Sequence, residues 1–404
     1  MTTRYIDILR DWNFWDKKID PGILRPKYVE KLLWYADFQE IIAISGVRRS
    51  GKSTLLRQII AGLNKKKGVP FKNTLHINFE DPRLSSERID ATDLFEIFKE
   101  YREQFKPKGK IYIFLDEVQK VTRWEQFVRT IYDLPSSKNK VHFFVTGSNS
   151  SVFASNLITS LTGRLINFSV SPLSFAEFVC FPRKRRDFSK AFEEYTRFGG
   201  FPQVVLEKDE NKKRDLLISY YNAIVENDIV IRHGIRNKEK IIELAKYLLS
   251  TVGSLVSTYS LEKTLGIGNA DISRYLNYIE ESYLISSVPL FSYSVKKQIY
   301  NPDKVFSVDT GLSNIVGFNF SENRGRLLEN LVYQKLRQGN SQVYYWKNKT
   351  EIDFLTFAKG KVEKLINVTL TVDDPEVLQR ELGSLDIGSK EFPKAKPILL
   401  SLYN

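Results

Sequence analysis

The stretch Ile44 to Leu56, ISGVRRSGKSTLL, constrains this chain more than any other. It reads as apolar strand, glycine-rich turn, lysine, two hydroxyls and apolar helix. Gly46 to Ser53 satisfies the pattern GxxxxGK[ST] at every fixed position. The glycines let the backbone curl, so that successive N–H groups point at phosphate oxygens. Lys52 sets a cation against the β- and γ-phosphates, Ser53 offers a hydroxyl to Mg²⁺, and the helix N-terminus adds partial positive charge. Gly46, Arg49, Ser50, Gly51, Lys52, Ser53 and Thr54 are therefore the candidate ATP-binding residues.

A phosphate loop needs acids at a neighbouring strand tip. The run IYIFLDE supplies them. Asp116 is placed to hold Mg²⁺ together with Ser53. Glu117 is placed to polarise the attacking water as general base. A third polar tip follows in TGSNS, Thr146 to Ser150, where Ser148 or Asn149 can touch the γ-phosphate or the water; Ser148 is preferred.

The flanking pattern agrees with such a site. Ile41–Ser45, Thr74–Phe79, Ile111–Leu115, Val141–Val145 and Arg164–Val170 read as strands, several of them continuously apolar, as strands buried on both faces are. Helices are expected at about 52–63, 92–105 and 124–133, with KKKGVPFKN as a break after the first. Strands alternating with helices imply a parallel sheet with crossovers.

From 240 to 285 a different logic holds. KIIELAKYLLSTVG, SLEKTL and ADISRYLNYIEES read as three helices, with Asn269 as cap and Ile272, Leu276 and Ile279 inward on the third. Leu284 to Val288 then reads as a wing, which completes a winged helix-turn-helix outline. Arg274 and Asn277 on the outer face suit base edges or phosphates, and such modules also serve protein contacts. In the basic break FPRKRRDF, Arg183 and Arg185 are further candidate phosphate contacts.

The bulk numbers set limits. With 61 Lys and Arg against 48 Asp and Glu, the net charge of +13 favours a polyanionic partner, nucleic acid before membrane. A single cysteine, Cys180, and three histidines exclude an intrachain disulfide and leave no structural zinc cluster. No apolar run reaches 18 residues and MTTRYIDILRDW has no signal-peptide core, so a cytoplasmic location without membrane partner is expected.

The motifs GVRRSGKST, NFEDPRL, IFLDEVQKV, FVTGSNS, LTGRL, SPLSFAEF, RFGGFP, VFSVDTGL, RLLENLVYQKL and YYWKNKTEIDF occur in this order from 46 to 354. Their order resembles an archaeal and bacterial family of AAA+, STAND-related P-loop ATPases, the AAA_14/DUF4143 type. The resemblance implies that Arg164, in LTGRL, acts as an arginine finger or sensor in catalysis; capping an edge strand is its other reading. Asp81, in NFEDPRL, is assigned to a turn.

The resemblance further implies a C-terminal fold similar to PD-(D/E)XK nucleases, with Glu329 and Asp353 matching two acids. Asn367 and Thr369 stand where a third acid and a lysine belong, so no or very weak cleavage is expected.

The fold class expected is thus α/β: a helical arm at 1–39, a parallel-sheet ATPase domain at 40–182, a helical linker at 183–234, a winged helix at 235–295 and a small α/β nuclease-like domain at 296–404. The function expected is a homo-oligomeric ATPase that uses ATP and Mg²⁺, binds DNA and meets partners of DNA replication or repair. The alternative is a STAND-like nucleotide-gated switch acting on a protein.

Overall fold

A computed structural model describes residues 5–85, 89–137, 140–154, 161, 163–181, 187–317 and 324–403. The chain divides into two compact units, Met1–Ser171 and Pro172–Asn404. The first therefore closes ahead of the boundary expected at 182.

Unit 1 is built on β1 (Ile41–Ser45), β2 (Thr74–Asn78), β3 (Ile111–Asp116), β4 (Val141–Gly147) and β5 (Leu165–Ser169). All pair in parallel, in the order β2-β3-β4-β1-β5. Every residue of β1 to β4 is buried, which is why β1 and β3 read as nearly unbroken apolar runs. Alternation within β1 feeds two cores. Ile41 and Ala43 face a layer with Ile113, Leu115 and Phe127. Ile42 and Ile44 face another with Leu56, Phe114 and Phe144. Phe114 and Phe144 are direct partners across β3 and β4 and stack at 4.9 Å. Truncating either to alanine is expected to cost about 3–5 kcal/mol.

The phosphate-loop helix runs from Lys52 to Lys67, longer than the sequence suggested. Lys65, Lys66 and Lys67 form its last turn, where cations suit the helix dipole, and Gly68 ends it at φ 66°.

The amino-terminal arm belongs to this unit: Tyr5, Ile6 and Leu9 enter its core. Asn13 exchanges hydrogen bonds with the backbone of His76 on the edge strand β2 (both 2.8 Å), covering an edge that would otherwise template pairing. Asp81 does more than start a turn. It accepts from Trp12 Nε1 (2.7 Å) and binds Arg83 (2.7 Å), tying the arm to the loop after β2.

Unit 2 holds two sheets. β6 (Leu255–Val256), β7 (Ile285–Val288) and β8 (Asp303–Ser307) form an antiparallel sheet in the order β6-β8-β7. Helices at Lys238–Ser250, Thr258–Leu265 and Asn269–Glu281 accompany it. The KVFSVD strand therefore completes this sheet and does not pair with the C-terminal strands. In the third helix Tyr275 is buried with Ile272 and Ile279, whereas Leu276 is half-buried. The helix begins at Asn269, with Gly268 in the cap position.

β9 (Gln342–Lys347), β10 (Glu351–Ala358), β11 (Lys361–Thr371) and β12 (Lys396–Tyr403) form the second sheet, in the order β12-β11-β10-β9. The helix Arg324–Arg337 appears as expected. A second helix, Pro375–Glu391, capped by Asp374, was not anticipated. Gly388 in it sits so close to β11 that a Cβ there would meet Leu365 Cδ1 at 3.1 Å.

Two family motifs without assigned chemistry prove to be one structural joint. Asp309, fully buried, accepts from Gly200 N (2.7 Å) and Gly311 N (2.9 Å). A Cβ at Gly199 would lie 1.9 Å from Asp309 Oδ1. GGFP and VDTGL are thus complementary halves of a packed contact.

Candidate nucleotide site

The loop after β1 carries the features a phosphate cradle needs. Gly46 has φ 149°, and a Cβ on it would lie 2.1 Å from Val170 O. Gly51 has φ 96°, a conformation that favours glycine. Lys52 is 3% exposed, and its Nζ donates to Gly46 O (3.0 Å) and Val47 O (3.3 Å). The same nitrogen lies 3.4 Å from Glu117 Oε1. Ser50 is buried, and its hydroxyl has no hydrogen-bond partner. Arg49 is exposed at φ 68°, and Thr54 accepts from Arg57 (3.2 Å).

The adjacent strand tips face this loop's side of the sheet, because parallel strands end at one edge. Asp116, at the end of β3, is fully buried. Its Oδ1 accepts from Thr146 Oγ1 at 2.5 Å. Thr146 in turn accepts from Glu117 N at 2.8 Å, so one β4 hydroxyl fixes the Asp116 side chain and the Glu117 backbone. Asp116 Oδ2 accepts no hydrogen bond, and the nearest cationic candidate, His76 Nε2, is 3.7 Å away. Burial alone would raise the Asp116 carboxyl. His76, Thr146 and Ser53 beside it outweigh burial and hold it below the usual carboxylate range.

An ionised, buried acceptor with an unused oxygen, next to the Ser53 hydroxyl, fits a hard divalent cation. Mg²⁺ bound there would be held by Ser53 and Asp116.

Glu117 sits in the left-handed region at φ 60°, which costs a non-glycine residue roughly 1–2 kcal/mol. It is 5% exposed. Gln119 donates its amide to Glu117 Oε2 and to Ser148 Oγ (3.0 Å). Ser148 thus reaches the acid through Gln119. Asn149 instead holds its own turn, accepting from Ser151 N and Oγ, each at 2.8 Å.

Arg164 is not brought to this site within its own chain. Its carbonyl accepts from Ile41 N (2.7 Å), which puts it at the opposite end of β1. Ile41 to Ser45 spans about 13 Å at 3.3 Å per residue. The guanidinium pairs with Asp133 (2.8 Å) and lies over Tyr132. Arg183 and Arg185 lie outside the described residues.

Arg274 and Asn277 are exposed on one helix, with Arg274 ion-paired to Asp271 at 2.5 Å. Between β7 and β8, a short helix Val295–Tyr300 carries Lys296 and Lys297 beside Tyr293, Ile299 and Tyr300, each of these three more than 70% exposed.

Sequence reasoning missed four contributors. Arg25, 4% exposed, donates to Ser50 O (3.2 Å) and Ser171 O (3.0 Å) and so braces the phosphate loop from the arm. His76, Thr146 and Gln119 surround the two acids. Only Thr146 had a local signal, as the first polar residue of the β4 tip.

Comparison with known proteins bears on these elements. Residues 38–179 match the AAA_14 family, described as an AAA domain, and residues 189–323 match a domain of unknown function, DUF8612. The uncharacterized protein MJ1544 of Methanocaldococcus jannaschii is 34% identical, over 87% of this chain and 79% of its own length. An uncharacterized protein of Haemophilus influenzae is 32% identical, over 88% of each chain. Among solved structures, the Walker-type ATPase PABY2304 of Pyrococcus abyssi matches at 14% identity with a TM-score of 0.46, covering 74% of this chain and 99% of that one. Among the described residues, no helix is long and apolar enough to cross a membrane.

Proposed function

The chain belongs to the family of AAA-domain proteins that these matches mark out, and on that premise we propose that it binds ATP with Mg²⁺, hydrolyses it, and couples the cycle to DNA. The observation that carries the nucleotide half is the convergence on Asp116. His76, Thr146 and Ser53 stand beside a buried carboxylate that keeps one oxygen without a hydrogen bond, and Lys52 meets the next acid, Glu117.

In this reading the loop N–H groups and Lys52 hold the β- and γ-phosphates. When bound, Mg²⁺ neutralises phosphate charge and helps orient the γ-phosphoryl group. Glu117 orients the attacking water and accepts its proton, once released from Lys52 and Gln119. Thr146 keeps Asp116 and the Glu117 backbone in register. Ser148 acts through Gln119. Arg164, remote from its own site, serves a neighbouring subunit's nucleotide in a homo-oligomer.

The DNA half is assigned to unit 2. The helices at 238–250, 258–265 and 269–281 with β6, β7 and β8 have the order of a winged helix. Arg274 and Asn277 would face a groove, with Arg183 and Arg185 adding phosphate contacts. Lys296 and Lys297 beside exposed aromatics suit a nucleic-acid backbone and its bases. Hydrolysis in unit 1 changes the grip of unit 2, and replication or repair proteins are the partners expected of such an activity in the cytoplasm.

One observation favours the alternative, a slow nucleotide-gated switch acting on a protein. Glu117 is engaged by Lys52 and Gln119, which holds the base away from a water. Phosphate release by wild type and Glu117→Gln, each with linear, single-stranded and branched DNA, separates the two. Turnover that rises with one DNA form and is lost in the variant supports the coupled ATPase. Near-zero turnover with retained ATP binding, unmoved by any DNA, rejects it for the switch.

A further inference from the structure

A second lysine–carboxylate cluster lies in unit 2, away from the nucleotide site. Lys304, on β8, is 2% exposed. Its Nζ reaches Glu351 Oε1 at 2.7 Å, Asp353 Oδ1 at 3.0 Å and Glu329 Oε2 at 3.7 Å. Two of these acids, Glu329 and Asp353, are the pair that the nuclease resemblance assigns to a metal. The third, Glu351, lies two residues before Asp353 on the same face of β10.

The distances are those of an ammonium. Three N–H donors suit oxygens near 2.7–3.0 Å, whereas a divalent cation draws carboxylate oxygens to about 2.0–2.6 Å. Glu329 Oε2 accepts no hydrogen bond, but the other positions are used inside the protein. Asp353 Oδ2 accepts from Val368 N (2.9 Å). Asn367, at the position of the missing acid, accepts from Asp353 N (3.2 Å) and donates to Glu381 (2.8 Å). The Thr369 hydroxyl turns onto Thr371 O (3.1 Å). Among the described residues no group of three His, Cys, Asp or Glu side chains is arranged to hold a metal ion.

Charge agrees with geometry. Burial alone would lower the Lys304 amine; Asp353, Glu329 and Glu351 outweigh it and raise it above the ordinary lysine range. Burial, then the Asp353 charge, pushes Glu329 above the usual carboxylate range.

We infer that the Lys304 ammonium is the resident cation of this cluster: it stands where a divalent metal would stand, closes the nuclease-like site, and latches β8 of the three-stranded sheet to β10 of the four-stranded sheet. The residues present do not fit a metal because one of their own neighbours already fills the place. The two sheets also share an apolar core of Val288, Phe306, Tyr333, Phe354 and Ile366, so the latch spans surfaces that are already in contact. This inference does not depend on the nucleotide reading.

The test is Mn²⁺ and Tb³⁺ binding to the full chain without nucleotide, in an Asp116→Asn background that removes the phosphate-loop metal position. The chain with Lys304 intact shows no saturable uptake into the millimolar range. Lys304→Met, which keeps length and loses charge, gains a site at least tenfold tighter, and adding Asp353→Asn removes it. A folded Lys304→Met chain with no gain overturns the inference. Should Lys304→Met not fold, the Lys304 chain still decides: saturable Mn²⁺ uptake that Asp353→Asn abolishes overturns the proposal, and its absence upholds it.

Discussion

The two buried lysines, Lys52 and Lys304, are 3% and 2% exposed and each within 4 Å of an acid, yet they make opposite kinds of site. Lys52 shares its protons among two loop carbonyls and one carboxylate. Carbonyls are weak competitors for an ammonium, so a phosphate can recruit it. Around it Asp116 Oδ2 and Ser50 Oγ have no partner, and buried polar atoms left so cost free energy until a ligand satisfies them. Lys304 lies among three acidic side chains, Val368 N and Asn367 hold Asp353, and Glu329 Oε2 keeps the ammonium at 3.7 Å without a hydrogen bond. The first site is open to a ligand and the second is filled by the protein. Residue type does not separate the two; what each lysine faces, carbonyls in one and acids in the other, does.

The largest effect should break the open site. Glu117→Gln is expected to lower ATP turnover by about 10²–10⁴-fold with ATP binding retained, since it removes a base without disturbing the loop. Phosphate release and nucleotide titration read the two separately. Lys52→Met is expected to weaken ATP binding by roughly 2–5 kcal/mol, measurable by calorimetry, because it leaves both phosphate and Glu117 without a cation.

A pH series sharpens the contrast between the units. Burial pushes Asp309 up to about 7, against backbone donors that favour its charged form. An acid raised in the folded state adds stability that is full below its unfolded value and lost as pH rises through 7. Unit 2 should therefore lose stability between the carboxyl's unfolded value of 3.8 and about pH 7, by at most about 1.4 kcal/mol per pH unit for this group. Asp309→Asn should flatten that slope in urea unfolding. Asp116 in unit 1 is held low, so its contribution has the opposite sign and is lost as pH falls. The smallest effect is at the surface. Arg274→Ala should weaken DNA binding by about 1 kcal/mol and lower the salt slope by about one, read by anisotropy over a salt series.

Unit 1 was legible because its physics is local. Strands buried on both faces give apolar runs, and a phosphate loop is written in eight consecutive residues. What escaped was long-range. Arg25 reaches Ser50 across 25 residues, and Lys304 reaches Asp353 across 49, with no spacing rule to announce either. β8 paired backward with β7 rather than forward with the C-terminal strands, a choice that strand pattern alone does not make. The helix Pro375–Glu391 carries two glycines, Gly383 and Gly388, and Gly388 is the point where that helix closes on β11. The Asn367 and Thr369 departures were visible in the sequence; the Lys304 ammonium among the acids was not.

The most direct test of the open-and-closed account is a count of Mn²⁺ bound per wild-type chain, by electron paramagnetic resonance, with and without a non-hydrolysable ATP analogue. The account predicts one equivalent with nucleotide, lost in Asp116→Asn, and none without. A second equivalent, or one bound without nucleotide and removed by Asp353→Asn, would contradict it.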